Sequence, residues 1–219
     1  MKYRTIIFDW DGTLGMTLHL WLAGFREALH THGIELGDRE IAEDFFSNHD
    51  QSYLKYPHID FDELLDEVRA YVHSHLETLR LYDGVQDVLE QISSSGATMA
   101  LVSSSTRQLV ERGLDLHGLG EYFDSIICGD DVTRHKPHPE PFLQTLSAID
   151  ALPEDVLIVG DSKVDVIAGK AAGLDTCLFL PLENEMFYDF EDLMSSQPHA
   201  TITQMTDILD VVDCLSSNE

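Results

Sequence analysis

The strongest constraint on the fold is a repeated alternation of short apolar segments with helical segments. Each apolar segment is nearly continuous in hydrophobic residues, which is typical of parallel strands covered on both faces. Because helical segments separate them, we predict an α/β fold with a parallel sheet and helices on both faces. The predicted strands are 3–8, 97–102, 125–128, 155–160, 176–180 and 200–203, and the helices between and after them are 85–95, 105–117, 139–149, 163–172 and 205–215.

The segment between the first two predicted strands has a different character. Residues 16–80 show apolar residues at helical spacing and no strand pattern. A plain connection of this length is uncommon, so we predict an inserted all-helical cap domain at 16–80 and a core domain at 1–15 and 81–219. In the core, only 183–198 reads as an irregular acidic loop or a short helix.

Charge and composition restrict the class of partner. The 219 residues include 40 acidic and 13 basic side chains, a formal net charge of −27. We therefore expect no nucleic-acid partner, because phosphate backbones require a basic surface, and any phosphate chemistry must rely on local cations. Three widely spaced cysteines (Cys128, Cys177, Cys214) and no apolar run of membrane or secretory length favour a cytoplasmic protein with no membrane partner. We expect a monomer, with a dimer as the alternative.

Polar side chains follow the predicted strands at the points where they end. Asp9 and Asp11 follow the first strand, and Ser103 and Ser104 follow the second. Lys136 comes after the third, and the fourth is followed by Asp161 and Asp165. The carboxyl ends of parallel strands meet at one edge of a sheet, so we expect four carboxylates, a hydroxyl and an ammonium to converge there.

The chemistry open to such a set is narrow. Two like charges about 4 Å apart repel by roughly 4 kcal/mol at an effective dielectric of 20, so clustered carboxylates require protons or a cation. Ligands that are all oxygens favour Mg²⁺. Ser103 and Lys136 could donate to a phosphoryl group. An aspartate beside the metal can attack phosphorus and a second can move the proton, a division of labour that suits Asp9 and Asp11.

Four segments carry a resemblance to a known family. DWDGTL, Ser103 in LVSSS, Lys136 in HKPHPEPF, and GDSKVDVIAGKAAGL resemble the four motifs of the haloacid dehalogenase superfamily in residue type, order and strand-end placement. The layout is similar to the phosphoglycolate phosphatase and β-phosphoglucomutase branch. The resemblance covers nearly the whole chain and implies a Rossmann-like α/β core with a small helical cap.

The resemblance also implies a role for each motif residue. Asp9 would be the nucleophile, and Asp11 the general acid and base that lends its backbone carbonyl to Mg²⁺. Ser103, with the backbone of Ser104, would bind the phosphoryl group, and Lys136 would neutralise its charge. Asp161 would ligate the metal, with Asp165 a further ligand or a hydrogen-bond acceptor behind it. The implied metal set is thus Asp9, Asp11, Asp161 and Asp165, and the implied substrate is a small phosphorylated metabolite.

The chain departs from the family pattern near the cap. Gly15, Met16 and Thr17 stand where the family often has a hydrophobic residue, Asp and Ser. In the family these positions form the hinge to the cap, so the resemblance does not predict how the cap closes or what specificity it gives. His135 replaces a common glycine before Lys136. Just after the hinge, His19 and Trp21 are candidates to face substrate, and Arg107 is a candidate to steer phosphate.

The predicted function is a Mg²⁺-dependent phosphatase that hydrolyses a small phosphomonoester, such as phosphoglycolate or a sugar phosphate, through an aspartyl-phosphate. Asp11 favours phosphoryl transfer over carbon–halogen cleavage, because the dehalogenases lack an acid there. A phosphomutase on the same core is one alternative, and a catalytically idle binding or regulatory protein is another. A phosphonate hydrolase would need a cap lysine, for which Lys55 is the one candidate.

Overall fold

Six parallel strands form the centre of the molecule, in a computed structural model that describes residues 2–47, 52 and 54–213. Their order across the sheet is β3-β2-β1-β4-β5-β6, which places β1 in the middle. Each neighbouring pair runs parallel, so the predicted sheet is confirmed. The strands are β1 (Thr5–Phe8), β2 (Thr98–Val102), β3 (Ser125–Ile127), β4 (Val156–Gly160), β5 (Asp175–Phe179) and β6 (Ala200–Ile202).

Helices cover both faces of this sheet. Ile6 and Phe8 point to one face and Ile7 to the other, because successive side chains of a strand alternate. All three are fully buried, and each contributes about 1.5–3 kcal/mol through burial. The first face packs on α4 (Val85–Ser94) and α5 (Arg107–His117), and the second on α6 (Glu140–Ile149) and α7 (Lys163–Ala171). Helices on both faces were predicted, and this prediction is confirmed.

The first part of the connection between β1 and β2, before α4, is built from helices in the residues that the structure describes, as predicted. It contains α1 (Leu18–Thr31), α2 (Asp38–Ile41), a π-helical segment (Ala42–Ser47) and α3 (Phe61–His75). Their apolar faces form a separate cluster, in which α1 packs mainly on α3. The division into a core at 1–15 and 81–219 and a cap at 16–80 remains a proposal.

Strand register brings three loops to one edge of the sheet. Phe8, the last residue of β1, pairs with Leu101 of β2 and Val159 of β4. The next amide, that of Asp9, donates to the Val159 carbonyl at 2.9 Å. The residues that follow β1, β2 and β4 therefore begin side by side.

The C-terminal third completes the sheet. Between β5 and β6 the chain forms a turn at Leu182–Asn184 and the short α8 (Phe190–Met194) in the segment predicted as an acidic loop or short helix. After β6, a turn at Met205–Asp207 leads into α9 (Ile208–Asp213). Cys128 and Cys177 are buried free thiols, and Cys214 lies outside the described residues. In the described part of the chain, every helix is too short or too polar to cross a membrane.

Candidate active site

A buried lysine joins two carboxylates at the carboxyl edge of the sheet. Nζ of Lys136 lies 2.9 Å from Oδ1 of Asp9 and 2.7 Å from Oδ1 of Asp165. It also donates to the carbonyl of Val102, at 3.3 Å. Burial opposes the charge on Lys136, but Asp165 and Asp9 outweigh burial and raise the pKa of the ammonium. The lysine is therefore a fixed positive charge between two strand ends.

Three carboxylates around Lys136 form a group of potential metal ligands. One oxygen from each of Asp9, Asp161 and Asp165 lies within 4.8 Å of the others, and all three side chains are buried. One lysine cannot neutralise three carboxylates. The oxygen donors and excess negative charge suit a hard divalent cation such as Mg²⁺.

The pKa values of two of these aspartates reflect burial and mutual repulsion. Burial raises the pKa of Asp9 to about 7, with repulsion from Asp165 and Asp11 adding to the rise and Lys136 opposing it. Burial and repulsion from Asp9 and Asp165 also raise the pKa of Asp161 well above its usual value. Without a cation, the group resists full ionisation.

The start of α7 explains the position of Asp165. The backbone amide of Ser162, the N-cap residue, donates to Oδ2 of Asp165 at 3.2 Å, which satisfies a free amide at the helix end. Oδ1 remains for Lys136. A side chain at Gly160 would collide with Asp165, because its Cβ would lie 2.5 Å from the Asp165 Cγ. Strand end and helix start thus fit together only with glycine at 160.

Asp161 lies against the turn that follows Asp11. Gly12 has φ +73°, and a Cβ there would lie 1.9 Å from Oδ2 of Asp161. The side-chain amide of Asn184 donates to the Gly12 carbonyl at 2.9 Å and to Oδ2 of Asp161 at 3.3 Å. Its own oxygen accepts from the Tyr82 hydroxyl. Asn184 therefore joins the turn to the carboxylate.

The Asp11 carboxylate points to different partners. Its Oδ1 accepts from the Trp21 indole at 2.9 Å, and its Oδ2 accepts from the hydroxyls of Ser105 at 2.7 Å and Ser103 at 3.2 Å. Among the described residues at this edge of the sheet, the carboxylates that converge are those of Asp9, Asp161 and Asp165, and that of Asp11 is not one of them. A metal contact from Asp11 would thus fall to its backbone carbonyl, which stays a prediction.

The serine loop after β2 is fixed by its own backbone. Ser103 is buried, and its hydroxyl oxygen accepts from the Ser105 amide at 3.0 Å. Gly129 packs so closely that a Cβ there would lie 2.3 Å from the Ser104 carbonyl oxygen. Ser103 thus lies at the site, while phosphoryl binding by Ser103 and the Ser104 backbone stays a prediction.

Sequence reasoning missed two residues of the segment after β5. Asn184 is 1% exposed, and the partly buried Tyr188 phenol interacts with Asp161. Burial raises the pKa of Tyr188, and Asp161 and Asp165 add to the rise. Their one sequence signal was position, since the segment follows a parallel strand and so begins at the same edge of the sheet.

The remaining candidates lie elsewhere or are already engaged. His19 is exposed and packs edge-on against Phe187, with ring centroids 5.0 Å apart. Arg107 pairs with Asp131 and, at 3.0 Å, with Glu111. His135 is exposed. At the hinge, the Met16 amide donates to the Arg80 carbonyl at 2.8 Å, so the two connections between core and helical segment run side by side.

Comparison with known proteins agrees with this arrangement. The model of the haloacid dehalogenase-like hydrolase family matches residues 6–179. Pyrophosphatase PpaX of Bacillus thuringiensis (strain Al Hakam) is 34% identical over 215 residues, which are 97% of this chain and 97% of that protein.

Solved structures share the fold. A putative haloacid dehalogenase-like hydrolase from Bacteroides fragilis has a TM-score of 0.81 at 26% identity, covering 94% of this chain and 100% of that one. A putative phosphoglycolate phosphatase from Lactobacillus plantarum has a TM-score of 0.82 at 24% identity, covering 96% and 100%, a likeness of fold alone. The chain therefore belongs to the haloacid dehalogenase-like hydrolase family and is an enzyme of the phosphatase type.

Proposed function

We propose that this enzyme is a Mg²⁺-dependent phosphatase that hydrolyses a small phosphorylated metabolite through an aspartyl-phosphate on Asp9. The observation that carries the proposal is the position of Asp9. It lies at the end of the central strand, 2.9 Å from the Lys136 ammonium and within 4.8 Å of Asp161 and Asp165. A nucleophilic carboxylate needs such surroundings, because positive charge must offset the phosphoryl group that approaches it.

The first half-reaction transfers the phosphoryl group to the enzyme. A carboxylate oxygen of Asp9 forms a bond to phosphorus as the bond from phosphorus to the leaving oxygen breaks. Asp11 gives a proton to that oxygen, which leaves as an alcohol or as a second phosphate. Lys136 stabilises the negative charge shared by Asp9 and the phosphoryl group.

The second half-reaction restores the enzyme. A water oxygen forms a bond to phosphorus, and the bond from phosphorus to the Asp9 oxygen breaks. Asp11, now ionised, takes a proton from that water and is ready for the next cycle. Inorganic phosphate leaves. The hydroxyl of Ser103 and the backbone amide of Ser104 would hold the phosphoryl oxygens through both steps.

The carboxylate group fits Mg²⁺. Asp9, Asp161 and Asp165 would hold the ion, with the backbone carbonyl of Asp11 as a further ligand. When bound, Mg²⁺ offsets the repulsion among these carboxylates, favours the ionised form of Asp9 and neutralises charge on the phosphoryl oxygens. Lys136 supplies a further positive charge, at Oδ1 of Asp9 and Oδ1 of Asp165.

Two substrate classes follow from the chemistry and the comparisons. The sequence motifs favour a phosphomonoester such as phosphoglycolate or a sugar phosphate. The relative named pyrophosphatase, at 34% identity over nearly the full length, supports adding pyrophosphate as a phosphoanhydride candidate. The expectations of a cytoplasmic, monomeric protein without nucleic-acid or membrane partners belong to the same proposal.

Release of inorganic phosphate from a substrate panel tests the proposal. The panel contains pyrophosphate, phosphoglycolate and sugar phosphates, each with Mg²⁺ and with excess chelator. We expect activity that requires Mg²⁺ and is lost in Asp9→Asn. The matched control is Asp87→Asn, which makes the same change on the exposed face of α4.

The same panel separates the alternatives. Isomerisation of a hexose 1-phosphate with negligible phosphate release would replace the phosphatase by a phosphomutase. No turnover of any compound by folded protein with Mg²⁺ would favour a binding or regulatory protein. Activity that survives Asp9→Asn or chelation would contradict the proposed chemistry.

A further inference from the structure

Trp21 connects the helical segment to the carboxylate assigned to proton transfer. It lies in the first turn of α1, and its indole Nε1 donates to Oδ1 of Asp11 at 2.9 Å. The side chain is partly buried and packs against two apolar clusters, that of the sheet and that of the helical segment. One residue thus contacts both packing units and the site.

The hydrogen bonds of Asp11 show why the indole matters. An indole N–H can only donate, whereas a serine hydroxyl can rotate and also accept. The other oxygen, Oδ2, faces two such hydroxyls, those of Ser103 and Ser105. Of these three donors, the Trp21 indole is the one that contacts Oδ1. Because the indole cannot accept, this contact requires Oδ1 of Asp11 to be the acceptor.

The position of α1 controls this contact. Leu18 and Leu22, on either side of Trp21, are buried in the helical-segment cluster, and α1 packs on α3. The indole must therefore move with α1, whereas Asp11 belongs to the loop that follows β1. A shift of α1 relative to the sheet would lengthen or break the bond between them.

We propose that Trp21 is a positioning residue for Asp11. Through its hydrogen bond, the orientation of the Asp11 carboxylate depends on the position of α1 relative to the sheet. This inference rests on the proposed function, in which Asp11 gives and takes the proton. Proton transfer requires Asp11 to lie within hydrogen-bond distance of the leaving oxygen. The position of α1 therefore couples the helical segment to the chemical step.

Trp21→Phe keeps an aromatic side chain and removes the donor. We expect kcat to fall about tenfold, the loss that corresponds to one ordinary hydrogen bond, while KM stays within about threefold. The matched control is Tyr71→Phe, which removes a polar group from an aromatic side chain of α3 and leaves kcat unchanged. Unchanged kcat in Trp21→Phe, a loss confined to KM, or an equal loss in Tyr71→Phe would overturn the proposal.

Tryptophan fluorescence tests the contact without substrate. The chain has two tryptophans, and Trp10 is 1% exposed. We expect Asp11→Ala to shift the emission of the otherwise unaltered protein, because the Trp21 indole loses its hydrogen-bond acceptor. In a Trp21→Phe background, the same substitution should leave emission unchanged. No shift in the first case, or the same shift in both, would overturn the inference.

These two measurements separate the inference from the proposed function. If the substrate panel shows no phosphatase activity, the proposed function fails, yet fluorescence still reports whether Asp11 and Trp21 interact. If phosphatase activity is present and the emission responses are independent of Trp21, the positioning role alone fails.

Discussion

Nζ of Lys136 lies 2.7 Å from Oδ1 of Asp165, with 3% of the lysine side chain and 1% of the aspartate side chain exposed. A buried ion pair is costly to assemble, and removal of one partner leaves an uncompensated charge. The same ammonium lies 2.9 Å from Asp9, so a single positive charge serves both the proposed nucleophile and a proposed metal ligand. Stability and chemistry should therefore fail together when it is removed.

Lys136→Met removes this charge and keeps an unbranched side chain that is one atom shorter. We expect kcat/KM to fall by about 100-fold or more, as for the loss of an electrostatic donor at a reacting centre. The free energy of unfolding should fall by about 3–5 kcal/mol in chelator. Urea denaturation and phosphate release measure the two effects.

Lys2→Met is the matched control for stability. Lys2 pairs with Asp175 at 2.8 Å, but the side chains are 42% and 31% exposed, so the loss should be about 0–1 kcal/mol. Equal losses in the two variants would show that burial adds nothing to the Lys136 pairs.

The raised pKa of Asp9 makes stability depend on pH in the metal-free protein. Burial moves this pKa from 3.8 to about 7. Between those values the folded state holds a proton that the unfolded state has lost, so the free energy of unfolding falls as pH rises and is lowest above pH 7.

Asp9→Asn removes this titration. We expect the free energy of unfolding of the variant, relative to that of the wild-type chain, to rise by about 2–3 kcal/mol as pH increases from 5 to 8. Urea denaturation in chelator measures this difference. Asp87→Asn, an exposed control, should show no such gain. A difference that stays constant across this range would contradict a raised pKa at Asp9.

Substitutions at two glycines with the same backbone conformation distinguish backbone strain from steric collision. Gly12 has φ +73° and Gly33 has φ +74°, but a Cβ at Gly33 meets nothing within 4 Å. Gly33→Ala should cost only the strain of the left-handed region, about 1–2 kcal/mol, and keep activity. Gly12→Ala should cost more and abolish phosphate release, because the methyl group would displace Asp161. Equal costs with activity retained in both would contradict the tight turn.

Asn184 should support the metal ligand rather than the fold alone. Asn184→Leu leaves the Gly12 carbonyl and the Tyr82 hydroxyl without this partner, at a cost of about 1–3 kcal/mol for each buried group. We also expect Mg²⁺ affinity, measured by calorimetry, to fall about 10–100-fold, because Asp161 loses a hydrogen bond. Tyr82→Phe is the control, since it removes the hydroxyl and leaves the amide contact to Asp161. Unchanged Mg²⁺ affinity in Asn184→Leu would count against this role.

The strand ends could be predicted because their signals are local. An apolar run that stops at Asp9 or Asp161 marks both a buried strand and the edge where the residue lies, and the parallel order brings these ends together. The helical character of 16–80 follows from spacing in the same way. Such patterns are determined by residues close in sequence, so they need no knowledge of packing.

The contacts that complete the site could not be predicted, because they join distant or unpatterned positions. Asn184 and Gly12 are 172 residues apart, and the acidic surroundings of Asn184 give no sign of burial. The orientation of Asp11 depends on how α1 is seated, which a single sequence does not encode locally. Arg107 was a reasonable phosphate candidate by position, but Asp131, 24 residues later, folds back to pair with it.

Formation of a phosphoryl bond on Asp9 is tested most directly by rapid acid quench during turnover, followed by mass spectrometry of the peptide that contains Asp9. With Mg²⁺ and a panel compound that supports turnover, we expect this peptide to carry the mass of one phosphoryl group within the first turnover. The adduct should be absent in Asp9→Asn and in chelator. Rapid phosphate release with no adduct on Asp9, or an adduct on another residue, would contradict the aspartyl-phosphate account.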